Sequence, residues 1–301
     1  MMVEAGRGCR RDPFHTHSTP IPHPASSQTS YTSQPVRGPV RLPNVKALMF
    51  DLDDTITDFR AASDKAFAVA FGDISRETGV SLQLMRDTYM DLFEDFYTMH
   101  LQGDINLEEF RVYRFSRMFE ILRLPMDDRL LDLCLDFEEV YDRSLEMFPD
   151  AMDVLVELSQ AYPMALITNG PTDAQWFKIN KFHLEGLFDI VLVSDQIGIA
   201  KPDPRIFQVA LAGMRVRPSE AVMVGNSLEH DHWGAINSGC RFIWANLTRD
   251  PLPKGWPEPD AEIHHFTELR PLLLGFVQSD EPDDGASTVS TVSTVRTERT
   301  E

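Results

Sequence analysis

The stretch "ALMFDLDDTITD", Ala47–Asp58, decides the reading of this chain. An apolar run stops abruptly at Asp51, and four carboxylates (Asp51, Asp53, Asp54, Asp58) then fall within eight residues. Clustered carboxylates repel one another and must shed water to pack, so a buried strand gains nothing by ending this way. A bound cation would resolve the conflict if the rest of the chain brings partners to the same place.

Further short apolar runs follow the first, "VKALMFDL": they are "MALITN", "DIVLVSD", "AVMVGN" and "RFIWAN". Helix-period segments separate the later ones, namely "DAMDVLVELSQAY", "TDAQWFKINKFHL", "PRIFQVALAGM" and "HDHWGAINSG". Apolar strands alternating with helices predict an α/β fold: a Rossmann-like parallel sheet core with helices on both faces. In such sheets, ligands bind beyond the carboxyl ends of the strands, where polar residues distant in sequence converge.

Residues 59–146 break the alternation with helical periodicity alone. Leu82, Met85, Tyr89, Leu92, Phe93 and Phe96 share one helical spacing, and Phe110, Tyr113, Met118 and Ile121 another. A third run is Leu130, Leu131, Leu133, Cys134 and Phe137. Such stripes form a core. The expectation is an inserted all-helical cap domain at 59–146, over an α/β core domain of 44–58 and 147–277. An insertion at a carboxyl-end loop is placed to act as a lid. Residues 1–43, with "HTHSTPIPHPASSQTSYTSQPVRGP", and 278–301, with its short STV repetition, read as disordered tails. His15, His17 and His23 sit in the first tail, where a Pro-broken segment holds no ligand rigidly. That Arg-rich, acid-poor start reads either as a targeting segment or as an over-extended start.

The chain has 301 residues, 43% hydrophobic and 25% charged, which is the composition of a globular protein with a core. A net charge of −19 argues against a nucleic-acid polymer as partner, because neutralising phosphates takes a basic face. Three widely spaced cysteines (Cys9, Cys134, Cys240) point to a reducing, cytoplasmic setting rather than to a disulfide framework or a zinc site. No apolar run is long enough to span a membrane. Oligomeric state is not readable.

Asp51 and Asp53 suit a nucleophile or metal ligand followed by a proton donor, while a helix cap at Asp53 or Asp54 would explain one carboxylate and leave Asp51 without a role. In "ITNG", the Thr168 hydroxyl and the N–H groups of Asn169 and Gly170 suit a phosphate, although Asn-Gly is also a common turn. In "GIAKPDPRIF", Lys201 is a point charge on a proline-stiffened loop leading into a helix that begins near Asp203. In "VGNSLEHDHWGA", Asn226 and Asp231 offer hard oxygens suited to Mg2+. His230, His232, His264 and His265 lack the spacing of a transition-metal site.

In this order, at successive strand ends, the motifs resemble those of the haloacid dehalogenase superfamily of hydrolases, on its phosphatase branch. The resemblance runs from about Val45 to about Trp244 and includes a helical cap like that of the first subfamily. The texture of "ITNGPTDAQ" and "GIAKPDPRIF" is similar to pyrimidine nucleotidases and sialic-acid phosphate phosphatases. The resemblance implies Asp51 as nucleophile, Asp53 as general acid/base, and Thr55 at the third motif position. It also implies Thr168, Asn169 and Lys201 around substrate phosphate, with Mg2+ among Asp51, Asp53, Asn226 and Asp231. The implied activity is Mg2+-dependent hydrolysis of a small phosphorylated metabolite or nucleotide through an aspartyl-phosphate.

One departure matters. The family's fourth motif opens Gly-Asp, with that aspartate on the metal, whereas this chain has Gly225-Asn226. A neutral Asn there is shared with metal-independent 2-haloacid dehalogenases, which makes that activity one alternative. A non-catalytic phosphate-ligand binding protein is another, and a phosphomutase would use the same aspartyl chemistry. Retention of Asp53, which a dehalogenase does not need, favours the phosphatase.

Overall fold

The computed structural model describes residues 41–126 and 128–275. The expected tails, apart from residues 41–43, and the features within them (Cys9, the three histidines, the STV repetition) lie outside the described residues. Leu42 N–H donates to Leu272 O at 2.9 Å, which fastens the start of the described chain to its end.

Among the described residues, β1 (Ala47–Phe50) leads into α1 (Phe59–Thr78), α2 (Leu82–Asp91), α3 (Phe93–Leu101), α4 (Leu107–Leu122) and α5 (Leu130–Ser144). The chain then forms α6 (Ala151–Ala161), β2 (Met164–Thr168), α7 (Thr172–Lys181), β3 (Ile190–Val193), a short α8 (Ser194–Ile197) and α9 (Pro204–Met214). It ends with β4 (Ala221–Gly225), α10 (Trp233–Ser238), β5 (Arg241–Ala245) and β6 (Ala261–Ile263). The six strands form one sheet in the order β3-β2-β1-β4-β5-β6, and every pairing is parallel.

Side chains alternate across the sheet with a period of two, and both faces are buried. Leu48, Phe50, Leu166, Val222 and Val224 face a core closed by Val154, Leu155 and Leu158 of α6 and by Leu269–Leu273. Ala47, Met49, Ala165, Met223 and Phe242 face the opposite core, closed by Ile206, Phe207 and Ala210 of α9 and Ala235 of α10. This explains why the strands read as continuous apolar runs rather than alternating ones. β6 escaped the sequence reading because "AEI" has three residues, one of them an exposed Glu262.

Helices α1 to α5 have a separate core. Phe67 lies 5.1 Å from Phe137, 5.3 Å from Phe71 and 5.6 Å from Tyr89, measured between ring centroids. The stripe from Leu82 to Phe96 spans two helices rather than one, with Leu92 (φ −77°, ψ −6°) closing α2 and opening α3. Helix α1 is capped by Asp58, whose side chain accepts from Ala61 N–H at 3.0 Å, and not by Asp53 or Asp54. α9 starts as its sequence demands: Asp203 caps by accepting from Arg205 N–H at 2.9 Å, and Pro204 fills the first turn.

Phe50 is fully buried between Phe188 (6.1 Å) and Phe266 (6.4 Å) in the central strand. Phe50→Ala is expected to lower stability by about 3–5 kcal/mol, read as a lower denaturation midpoint with unchanged far-UV signature.

Candidate active site

β1 is the central strand, flanked by β2 and β4, so the residues just past these three ends are neighbours. Asp51 N–H donates to Val224 O at 3.0 Å, continuing the ladder one residue beyond the strand. The chain then folds sharply over Leu52 O, which accepts from Ile56 N–H at 2.9 Å and Thr57 N–H at 3.0 Å. That turn brings Thr55 back under Asp51, and its hydroxyl donates to Asp51 Oδ2 at 3.0 Å. The same hydroxyl oxygen accepts from Asn226 N–H at 3.0 Å, which ties the end of β1 to the end of β4.

Lys201 is the centre of the arrangement. Its ammonium is 2.6 Å from Asp51 Oδ1 and 2.8 Å from Asp231 Oδ1, and all three residues are buried. Asn169 aims the lysine loop with a reciprocal clasp: its amide donates to Lys201 O and its carbonyl accepts from Lys201 N–H, both at 2.9 Å. Asp231 sits in a π-helical turn, Leu228–His232, and its Oδ2 accepts from Ser227 N–H at 3.0 Å. Gly225 must lack a side chain here, because a Cβ would stand 2.3 Å from Asp231 Oδ2.

Two carboxylates and one ammonium leave an excess negative charge in a dry place. Burial holds the Asp51 carboxyl up at about 7; Lys201 opposes that rise and Asp231 adds to it. Lys201 shows the complementary response. Burial alone would lower it, but Asp231 and Asp51 overrule burial and raise it.

Asp53 faces other partners. Its Oδ2 lies 2.5 Å from the Lys178 ammonium and accepts from Gln175 Nε2 at 3.3 Å, while its Oδ1 accepts from Thr57 Oγ1 at 3.3 Å. Thr168 is buried and donates to Gln175 Oε1 at 2.8 Å, so Gln175 links Thr168 to Asp53. Gln175 and Lys178 lie one turn apart on α7, both buried, and the sequence reading passed over them. A polar pair at that spacing has the signature of a solvated face; only the placement of α7 immediately after β2 reveals that its inner face lines the site. Gly170 N–H, expected near phosphate, donates instead to Ser194 Oγ at 3.0 Å and to Tyr97 Oη at 3.3 Å.

The four residues expected around a metal therefore divide. Asp231 has both oxygens engaged, by Lys201 and Ser227, and the Asp53 carboxylate is held by Lys178, Gln175 and Thr57. Thr55 has one hydroxyl proton, which Asp51 Oδ2 takes at 3.0 Å, leaving Asn226 Oδ1 at 3.4 Å without a good donor. Among the described residues, no three His, Cys, Asp or Glu side chains group as a metal site. Mg2+ does not require such a group: one or two carboxylates, a neutral oxygen, waters and substrate phosphate satisfy it. Asn226 Oδ1 is the oxygen left over, and Asp51, which shares its two oxygens with Lys201 and Thr55, is the carboxylate linked to it through Thr55; together they fit that chemistry.

A cavity of about 620 Å3 opens above these strand ends, with Asp51, Asn169, Lys201 and Asn226 in its lining and the helices of the insertion opposite. Polar contacts close the seam around it. Tyr97 Oη donates to Gly170 O at 3.0 Å and lies 2.6 Å from Ser194 Oγ. His100 lies 2.9 Å from Asp195, Arg111 2.7 Å from Asp173, and His230 3.2 Å from Glu94. Burial alone would lower His230, but Glu94 outweighs it and raises the imidazole above its ordinary range. Among the described residues, no helix is long and apolar enough to cross a membrane.

Comparison with known proteins identifies the family. The family model described as haloacid dehalogenase-like hydrolase matches residues 45–239. Glyceraldehyde 3-phosphate phosphatase of Methanothermobacter thermautotrophicus is 31% identical over 240 residues, covering 76% of this chain and 100% of that protein. The pyrimidine 5'-nucleotidase PynA of Streptococcus pneumoniae is 30% identical, covering 76% of this chain and 94% of its own length. The solved structure of the HAD-hydrolase YfnB from Bacillus subtilis, bound to magnesium, aligns with a TM-score of 0.59 at 24% identity, over 75% of this chain and 97% of that one. A 2-haloacid dehalogenase from Pseudomonas syringae aligns with a TM-score of 0.51 at 27% identity, over 75% and 96%. With the strand order, the ordered motifs and these matches together, the chain belongs to the haloacid dehalogenase-like hydrolase family.

Proposed function

We propose that this hydrolase cleaves a small phosphorylated metabolite or nucleotide, with Asp51 attacking phosphorus and carrying the phosphoryl group as an aspartyl-phosphate. The observation that carries the reading is Lys201, clamped 2.6 Å from Asp51 and 2.8 Å from Asp231 in the lining of the cavity. An anionic nucleophile meeting an anionic phosphate is repelled by roughly 4 kcal/mol per unit charge pair at about 4 Å and an intermediate dielectric. Lys201 opposes that repulsion from a buried position, where a fixed charge acts most strongly. Mg2+, held by Asp51 and Asn226, would supply further neutralisation of the transferring oxygens. Asp53 in its acid form protonates the leaving alkoxide, and the carboxylate so formed takes the proton of the water that cleaves the aspartyl-phosphate, returning both aspartates to their starting states. Lys178, Gln175 and Thr57 hold the Asp53 carboxylate in place for both steps.

The phosphatase and nucleotidase relatives support this reading over the dehalogenase one. Displacement of halide from carbon generates no alkoxide, and the three side chains fixing Asp53 would then serve no chemical step. Chloride release from a 2-haloacid, unaffected by a chelator, would overturn the choice. The proposed setting is cytoplasmic, in keeping with the free thiols of Cys134 and Cys240.

Asp51→Asn is expected to cut phosphate release by on the order of a thousandfold or more with an unchanged melting point. Wild-type protein quenched in acid during turnover is expected to carry a phosphoryl group on the Asp51 peptide by mass spectrometry; ordinary activity in Asp51→Asn would refute the assignment. Asn226→Asp restores a charge beside Asp51 and is expected to lower the half-saturating Mg2+ by about tenfold, measured by titrating chelator-stripped protein. Lys178→Met is expected to lower kcat by about 10- to 100-fold with little change in KM, and Lys178→Arg to recover part of it. Equal losses in both variants, or a change confined to KM, would separate Lys178 from Asp53.

A further inference from the structure

The cavity wall facing the strand ends is built from rings, and one cation is buried among them. Arg114, on α4, is 5% exposed, with its guanidinium carbon 3.8 Å from the Tyr89 ring centroid and 5.1 Å from those of Phe93 and Phe110. Its Nη2 donates to Tyr89 O at 2.9 Å, and its buried Nε has no hydrogen-bond partner. Among the described residues, no carboxylate pairs with it. The contrast with Arg111, one turn earlier and also in the lining, is direct: Arg111 is matched by Glu138 at 3.2 Å and Asp173 at 2.7 Å.

An unmatched buried charge costs more than ring faces return. Most other charges of the lining have a partner, Asp51 and Asp231 in Lys201, Asp53 in Lys178 and Glu94 in His230, whereas Asp54 and Asp142 form no ion pair among the described residues. Two further buried polar atoms of the same lining, Tyr141 Oη and His230 Nδ1, also have no partner. Arg114, Tyr141 and His230, all residues of one cavity wall, thus each carry a polar atom that internal hydrogen bonds leave unsatisfied.

We propose that Arg114 is a specificity-determining residue that takes the carboxylate of a substrate whose phosphoryl group sits at Asp51 and Lys201, so that the preferred substrates are phosphomonoesters of hydroxy acids. The inference rests on the phosphatase reading and adds the second anionic group of the substrate. A carboxylate suits the site better than a second phosphate. Asp54 and Asp142 line the same cavity with no ion pair among the described residues and would repel a dianion more strongly than a monoanion, and one Arg114 nitrogen is already committed to Tyr89 O.

The test uses three series of graded chain length: ω-phosphooxy carboxylates, the matching ω-hydroxyalkyl phosphates, and the matching bisphosphates. For the best length, wild-type kcat/KM is expected to favour the acid over the alcohol by at least about tenfold, the worth of one charge-assisted hydrogen bond. Arg114→Met and Arg114→Gln are expected to bring that ratio to within about twofold, carried mainly by KM. Their melting midpoints are expected to equal or exceed the wild type's, because an unmatched buried charge has been removed. A wild-type ratio near one, or a ratio preserved in both variants, overturns the proposal, as does a preference for the bisphosphate. A lowered midpoint with an unchanged ratio assigns Arg114 to packing alone. If no compound is hydrolysed, the phosphatase reading fails by itself, and the acid-to-alcohol affinity ratio from calorimetry still decides Arg114. If none binds, both fall.

Discussion

The ammonium of Lys201, sealed between Asp51 and Asp231, balances part of the negative charge that the parallel sheet gathers where its strands end. Three elements of the chain meet in that contact: the end of β1, the loop before α9 and the turn after β4. None would tolerate burial alone, since an unpaired carboxylate or ammonium in a dry site costs several kcal/mol. The surrounding bonds serve the same contact. Asn169 clasps the lysine backbone, Thr55 props Asp51, and the bare Cα of Gly225 leaves room for Asp231. The clustered acids at the start of the chain are thus sorted by neighbour. Asp51 goes to Lys201, Asp53 to Lys178, Asp54 to the backbone of Arg60 and Asp58 to the first turn of α1.

Much of this was legible in the residues. Strands buried on both faces write themselves as unbroken apolar runs, and the polar residue ending each run marks the ligand side of the sheet. Asp51, Lys201, Asn226 and Asp231 could be placed together for that reason alone. What stayed hidden depends on orientation within an element. Gln175 and Lys178 look in sequence like any exposed helical pair, and nothing local states that α7 turns them inward. Likewise the direction of the Asp53 carboxylate follows from where Lys178 reaches, a distance of 125 residues along the chain. Caps suffered from proximity: with Asp53, Asp54 and Asp58 all near the start of α1, only the path of the intervening turn selects Asp58.

Asn226 illustrates how a single neutral substitution alters a charged site without dismantling it. Its backbone N–H keeps the bond to Thr55, and its side-chain oxygen remains next to the same hydroxyl. A carboxylate there would place a third negative group around one lysine. With the amide, burial and Asp231 already hold the Asp51 carboxyl up at about 7, against the pull of Lys201.

The contacts between the inserted helices and the sheet domain are of two kinds, buried and solvated. Around Tyr97, the bonds to Ser194 and Gly170 are buried, whereas the Arg111–Asp173 pair is in contact with solvent. Parting a hydrated ion pair costs little, about 0–1 kcal/mol, but parting a buried bond strands its donors. Gly170 and Asp173, the two residues held, are only three positions apart, so a firm contact and a labile one sit side by side just past β2. Dissolved salt weakens the solvated pair and leaves its buried neighbour alone, so ionic strength would tell the two contacts apart.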